Sequence, residues 1–354
     1  MIMKKDILNN PNRCFIIAEA GSNWKSTTKM KSLDRAKKLI DVAAKCGADA
    51  IKFQTYRSKS VYVKNAGKSD YLGKIGERKK ITDIFDEFSM DYSMLSILHR
   101  YCKNKKIHFM STPFSVEDAK EVNKYVKIHK IASYEINHVK LLEFIGKTGK
   151  PVIISTGASN IDEIDFAVKT LKQNGCKQIA ILQCTAKYPA GLKSLNLNTL
   201  MEMKNRYKNP VGFSDHSEDP LIGPLTALGL GATIIEKHFT LNKKLKGPDH
   251  FFALNPIELK QMIESIRKSE SSRGNKNKKV IPEEKELRQF AVRAVQATKN
   301  IKKGELLQMG KNIDILRPGN QKRGEEPRFW KKIEGKIAKK EISEGVGISQ
   351  KDCY

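Results

Sequence analysis

Two histidines occupy equivalent places in neighbouring strand-like segments of this chain. His216 lies in PVGFSDHS (210–217) and His238 in ATIIEKHFTL (233–242). Each imidazole falls at the C-terminal end of an apolar run, where α/β barrels keep their chemistry. Adjacent parallel strands lie about 4.8 Å apart, so two histidines at matching depth can share one metal ion. A single strand-end histidine is more often a structural hydrogen-bonding group. The matched pair, with Asp215, Glu236 and Asp249 nearby in sequence, favours a metal site. Two nitrogen ligands leave coordination positions open, which suits a Lewis acid that polarises a carbonyl. The ion expected is a divalent one, Mn2+ or Mg2+; ligand type does not choose between them.

Other strand ends carry polar residues in the same way: Glu19; Lys52 and Gln54; Ser111 and Thr112; Lys130 and Ser133; Ser155 and Thr156; Gln183 and Thr185; Ser214, Asp215 and His216; Glu236, Lys237 and His238. A strand buried on both faces should be nearly continuous in Val, Ile and Leu. Ionisable groups there are costly unless paired or used. Their repetition at almost every strand predicts a catalytic mouth. Lys52 and Lys130, with hydroxyls at Thr112, Ser133 and Ser214, match a phosphate or a carboxylate.

The elements that position these groups alternate. Strand candidates are FIIAEAG (15–21), ADAIKFQT (48–55), IHFMSTPF (107–114), KIHKIAS (127–133), PVIISTG (151–157), QIAILQCTA (178–186), PVGFSDHS and ATIIEKHFTL, with helical patterns such as SLDRAKKLIDVAAKCG between them. Eight strands with intervening helices in about 250 residues predict a (β/α)8 TIM barrel. A doubly wound open sheet would carry a Gly-rich phosphate turn after an early strand, and none is present. The barrel is expected over 1–268, a polar linker over 269–286 (SESSRGNKNKKVIPEEKE), and a small, mostly β module over 287–354. The segment 56–92, with Tyr62, Tyr71 and Arg78, is long enough to be either a lid over the mouth or a surface excursion.

Composition narrows the class. The 354 residues carry a net charge of +27. Much of the excess is lysine dispersed over helix faces and loops, which fits a solvated surface that attracts anionic substrates better than a dedicated nucleic-acid binder. No run reaches the ~18 apolar residues of a membrane span, and the N-terminus lacks a signal-peptide pattern. Six scattered cysteines without a CxxC pair suggest reduced thiols and a cytoplasmic location.

The motifs AEAGSNW, GADAIKFQT, FMSTPF, KIASYE, STGAS, QCTAKYP, GFSDHS, EKHFTL and GPDHFFAL follow one another in an order that resembles the sialic acid synthase family, and the C-terminal module resembles its antifreeze-like (SAF) domain. The resemblance covers nearly the whole chain. It implies a condensation of phosphoenolpyruvate with an N-acetylated amino sugar, giving a nine-carbon 2-keto acid and phosphate. By the same resemblance Glu19 would assist at the sugar's C1 aldehyde, and Lys52, Thr112, Lys130, Ser133 and Ser214 would hold phosphoenolpyruvate. Gln54, Glu135, Tyr188 and Asp249 would line the sugar and reaction centre, and His216 and His238 would bind the divalent metal. Arg317, in ILRPG, would reach the sugar's acyl group from the C-terminal domain. That domain covers a partner's barrel in the family, which implies a domain-swapped homodimer. Trp24, Ala186, KIASYE and the long loop RPGNQKRGEEP depart from common family patterns and bear on the acceptor sugar. The alternatives are another phosphoenolpyruvate-dependent aldol-type synthase and an inactive carbohydrate-binding relative.

Overall fold

The structure is a computed structural model and describes residues 8–68, 79–274 and 277–354. Tyr71 and Arg78, part of the expected lid or excursion, lie outside the described residues. The chain divides into two compact units, Met1–Arg273 and Gly274–Tyr354. No helix among the described residues is long and apolar enough to cross a membrane.

The first unit is the expected (β/α)8 barrel. Its strands are β1 (Phe15–Gly21), β2 (Ala50–Thr55), β3 (His108–Pro113), β4 (His129–Ile131), β5 (Val152–Ser155), β6 (Ile179–Cys184), β7 (Val211–Asp215) and β8 (Ile234–His238). They form one parallel sheet in the order β3-β2-β1-β8-β7-β6-β5-β4, and β3 packs beside β4 to close the cylinder. Successive side chains on a strand point to opposite faces, and that period organises the whole interior. Ile17, Ala50, Met110, Ile128, Ile153, Ala180, Leu182 and Ile234 cluster as an apolar plug inside the barrel. Two residues further along those strands, the inward positions become Glu19, Lys52, Thr112, Lys130, Ser155, Cys184 and Glu236. The outward set, including Ile16, Ile51, Phe53, Ile154, Ile181, Phe213 and Ile235, packs against the helices.

Local signals fix the helices. In Lys29–Cys46, Thr28 caps the first turn by accepting from the Lys31 amide, and Gly47 ends it at φ 90°, a conformation that favours glycine. The last barrel helix, Pro256–Ser272, opens on an Asn255–Glu258 capping box and buries Leu259, Met262, Ile263 and Ile266. It runs through Ser272, so residues 269–272, expected in the linker, are helical. Nothing in SESS breaks a helix before Gly274.

The second unit is built on an antiparallel pair, β9 (Ala294–Ala297) and β10 (Ile313–Leu316). Val295, Ile301, Leu307, Ile313, Ile333, Ala338, Ile342 and Ile348 form its core. Backbones cross closely here: a Cβ on Gly324 would stand 2.0 Å from the Val295 carbonyl oxygen.

Candidate active site

At the C-terminal end of the barrel two lysines and two carboxylates interlock. Lys52 Nζ lies 2.7 Å from Glu19 Oε2 and 3.7 Å from Glu236 Oε2, and donates to Thr112 Oγ1 at 3.0 Å. Lys130 Nζ donates to Ser155 Oγ at 2.7 Å and to the Ile131 carbonyl at 3.0 Å, with Glu236 Oε1 at 3.9 Å. Ser214 Oγ donates to Glu236 Oε1 at 3.0 Å, and Gln54 Nε2 donates to Glu19 Oε1 at 3.1 Å. Strand register dictates this meeting, since Glu19 is paired with both Lys52 and His238, and Ser214 with Glu236. Burial raises the pKa of Glu19 against the pull of Lys52. Burial would also raise Glu236, but Lys130 and Lys52 outweigh it and hold that carboxylate ionised. Lys130 is lowered by burial.

Not every strand-end polar group faces this cluster. Asp215 and Lys237 point outward and pair at 2.6 Å between the barrel and its helices. Ser111 shares a hydrogen bond with Thr55 at 2.7 Å, and Gln183 Nε2 donates to the Leu195 carbonyl. The expected mouth residues are thus every second one, because the pleat turns their neighbours away. Conversely, Glu236 and Ser155, two of the expected mouth residues to which the family resemblance assigns no role, belong to the cluster. Counting in twos from His238 and from Ile153 identifies both.

His216 and His238 stand side by side, with ring centroids 5.4 Å apart and planes at 65°. Tyr188 packs on His216 at 4.1 Å, and Phe252 lies 5.1 Å from His238. The Thr185 carbonyl, 2.8 Å from His216 Nδ1, accepts that ring's proton, which leaves Nε2 with its lone pair. His238 Nδ1 is buried with no hydrogen-bond partner, and burial holds this ring's pKa well below the usual histidine value, hence neutral. Burial opposes protonation of His216 too, but Cys184 beside it outweighs burial and pushes its pKa up; as a ligand the ring must shed that proton. Among the described residues no three His, Cys, Asp or Glu side chains form a metal-binding group. The two imidazoles are the candidate donors. Their adjacency, and the orphaned nitrogen of His238, fit a divalent ion that would take its remaining ligands from solvent or substrate.

Asp249 is fixed beside this pair. Its Oδ2 accepts from the Ser22 amide at 2.9 Å and from Ser22 Oγ at 2.8 Å. The approach requires Gly21: at φ +50° a Cβ there would lie 2.5 Å from Asp249 Oδ2 and 3.3 Å from His238 Cε1. Ser133 and Glu135 occupy a single 3-10 turn after β4, where Ser133 Oγ accepts from the Gly157 amide at 2.9 Å. Arg317 follows β10 in the second unit.

Glu135 is buried, and its Oε2 has no hydrogen-bond partner. Burial pushes its pKa up to about 8, against the pull of Lys130. A folded-state value above the unfolded 4.5 means that ionising Glu135 destabilises the fold as pH rises through about 8. Glu135→Gln is therefore expected to raise the melting temperature at pH 9 and leave it nearly unchanged at pH 5. Melts of both proteins at the two pH values check this; an equal shift at both would contradict it.

Fold and site together define a (β/α)8-barrel enzyme with a lysine- and hydroxyl-lined mouth next to paired imidazoles. Comparison with known proteins narrows the class: residues 39–278 match the NeuB family and residues 292–352 the SAF domain, so the chain belongs to the NeuB family. It is 39% identical over 350 residues to the spore coat polysaccharide biosynthesis protein SpsE of Bacillus subtilis, covering 94% of this chain and 92% of that one. The crystal structure of SpsE aligns with a TM-score of 0.63 over 97% of this chain and 95% of its own. The chain is also 37% identical over 336 residues to the N,N'-diacetyllegionaminic acid synthase of Campylobacter jejuni (94% and 98% covered). It is 34% identical over 349 residues to a pseudaminic acid synthase of that organism (97% and 98%).

Proposed function

We propose that this protein is a nonulosonic acid synthase. It condenses phosphoenolpyruvate with an N-acetylated amino sugar, either N-acetylmannosamine or a diacetamido-dideoxy hexose, and releases a nine-carbon 2-keto acid and phosphate. Family membership supports the reaction class. The single structural observation that carries the assignment is the convergence of Lys52 and Lys130 with Thr112 and Ser214 at the barrel mouth.

Lys52, Lys130 and the hydroxyls of Thr112, Ser133 and Ser214 hold the phosphate and carboxylate of phosphoenolpyruvate, and the two ammonium groups offset its negative charge. Gln54, Tyr188 and Asp249 line the sugar. His216 and His238 hold the divalent ion, which when bound supplies Lewis-acid polarisation of the open-chain aldehyde. The C=C π pair of phosphoenolpyruvate forms the bond from its methylene carbon to C1 of the sugar, the C1 oxygen takes up a proton, and water adds at the phosphate-bearing carbon and gives up a proton. The tetrahedral adduct expels phosphate by cleavage of the C–O bond. Glu19, beside C1, steadies the aldehyde end. Glu135, whose pKa near 8 lies close to neutral pH, is suited to pass a proton to the new C1 oxygen or to take one from the attacking water.

Arg317 is assigned to the acceptor's acyl group, reaching it in the barrel of a partner copy within a domain-swapped homodimer. Six free cysteines are consistent with a reducing, cytoplasmic setting. Arg317→Ala is expected to raise the Michaelis constant for the sugar about tenfold, the loss of one charged hydrogen bond, and to leave that for phosphoenolpyruvate unchanged. Steady-state kinetics with each substrate varied decide it, and equal effects on both constants would remove the role.

Phosphate release from phosphoenolpyruvate with a panel of hexosamine acceptors, followed by product mass, tests the whole assignment. A nine-carbon keto acid from one acetamido sugar is expected. Release only with a short aldose would favour another aldol-type synthase, and no release with any acceptor would favour an inactive carbohydrate-binding protein.

A further inference from the structure

The outward pair Asp215–Lys237 lies where the barrel otherwise packs Ile, Phe and Val against its helices. Each partner immediately precedes one of the two imidazoles in the chain, Asp215 before His216 and Lys237 before His238. They are opposite each other in the β7–β8 register, and each is 1% exposed. Lys237 Nζ meets Asp215 Oδ2 at 2.6 Å, the Ser217 carbonyl at 2.5 Å, Ser217 Oγ at 3.1 Å and the Asp219 carbonyl at 3.0 Å. Asp215 Oδ1 accepts from the Ser217 amide at 2.7 Å. Asp219 Oδ1 in turn accepts from the Leu221 and Ile222 amides at the start of the next helix, Ile222–Gly229. One ammonium thus ties together the whole turn that leaves β7. The helix closes down on it so tightly that a Cβ on Gly223 would lie 3.0 Å from Asp215 Oδ2.

A buried ion pair is weak evidence of stabilisation, because desolvation offsets the attraction, and its better-attested use is to specify geometry. Here the geometry specified is that of two strand ends, each carrying an imidazole on its opposite, inward face. We infer that Asp215 and Lys237 are positioning residues that set the separation and orientation of His216 and His238 and thereby the affinity for the metal. The inference rests on the assignment of that pair as metal ligands. Neither side chain touches the mouth, so binding of phosphoenolpyruvate should not depend on them.

The test uses the full-length chain with Lys237→Met and with the double variant D215N/K237M, which leaves no lone buried charge should the single variant fold poorly. Mn2+ is titrated into metal-free protein, and free ion is read by electron paramagnetic resonance. Removal of such an outer partner is expected to weaken Mn2+ binding by about tenfold or more. The Michaelis constant for phosphoenolpyruvate should stay unchanged, and saturating Mn2+ should restore kcat. A folded double variant that binds Mn2+ as tightly as the parent would overturn the inference. If the parent itself binds no Mn2+, the metal assignment fails on its own account. The positioning role is then decided by ring nitrogen spectra: mixed tautomers at His216 in the double variant uphold it, and an unchanged Nδ1–H tautomer overturns it.

Discussion

His238→Ala is expected to lower kcat on the order of 10^3-fold or more, equivalent to ~4 kcal/mol of barrier, while the barrel remains folded. The His238 ring lies against Phe252 and Tyr188, and its Nδ1 has no hydrogen-bond partner. Deleting it therefore strands no polar group and removes only packing. His216→Ala should match the kinetic loss but melt at a lower temperature. Its ring donates to the Thr185 carbonyl at 2.8 Å; that oxygen keeps its bond from the Lys187 amide, so the loss is that of one ordinary hydrogen bond, about 0.5–1.5 kcal/mol. The comparison separates chemistry from folding: equal loss of turnover with unequal loss of stability points to a shared ligand role. Turnover that survives chelation of divalent ions and both substitutions would remove the metal from the reaction.

Much of this site was legible because it obeys the two-residue period of a strand. His216, His238, Lys52 and Lys130 are polar residues in or beside otherwise apolar runs; three point inward from strands and His216 does so from the residue just past β7. The same period, applied strictly, separates Glu236 from Lys237 and Ser214 from Asp215. Treating each strand end as a block of polar residues blurred that distinction. What no period could reveal is contact between distant turns. Asp249 reaches Ser22 across 227 positions, through a space that only a glycine at 21 leaves open. The raised pKa of Glu135 has a similar origin, since its burial depends on how the turn after β4 packs and not on its own triplet. The end of the last barrel helix was misjudged for a simpler reason: polarity marks solvent exposure, not the loss of helical hydrogen bonds.

Lys52→Met is expected to be the most damaging single change to stability. Methionine matches the stem of the lysine, so packing is kept and only the charge is lost. That charge serves two carboxylates at once, Glu19 at 2.7 Å and Glu236 at 3.7 Å, and both are buried. Breaking a buried pair by removing one partner costs about 3–5 kcal/mol, a large share of a typical stability of about 5–15 kcal/mol. The deficit should depend on pH with a definite sign. Burial already raises Glu19 above the unfolded value of 4.5, and Lys52 is the principal group pulling it back. Without that lysine the folded-state pKa rises further. A group raised on folding favours the folded state below its unfolded pKa and loses that contribution as pH climbs through the folded one. The variant should therefore melt furthest below the parent at alkaline pH and approach it on acidification toward 4.5. The double variant E19Q/K52M, which removes the stranded charge, should recover part of the loss at neutral pH, because residues in one ion-pair network are not additive. Phosphoenolpyruvate affinity should stay low in both, since neither variant restores the cation. A deficit independent of pH, or a double variant no more stable than the single one, would mean that Lys52 acts through packing and not through charge.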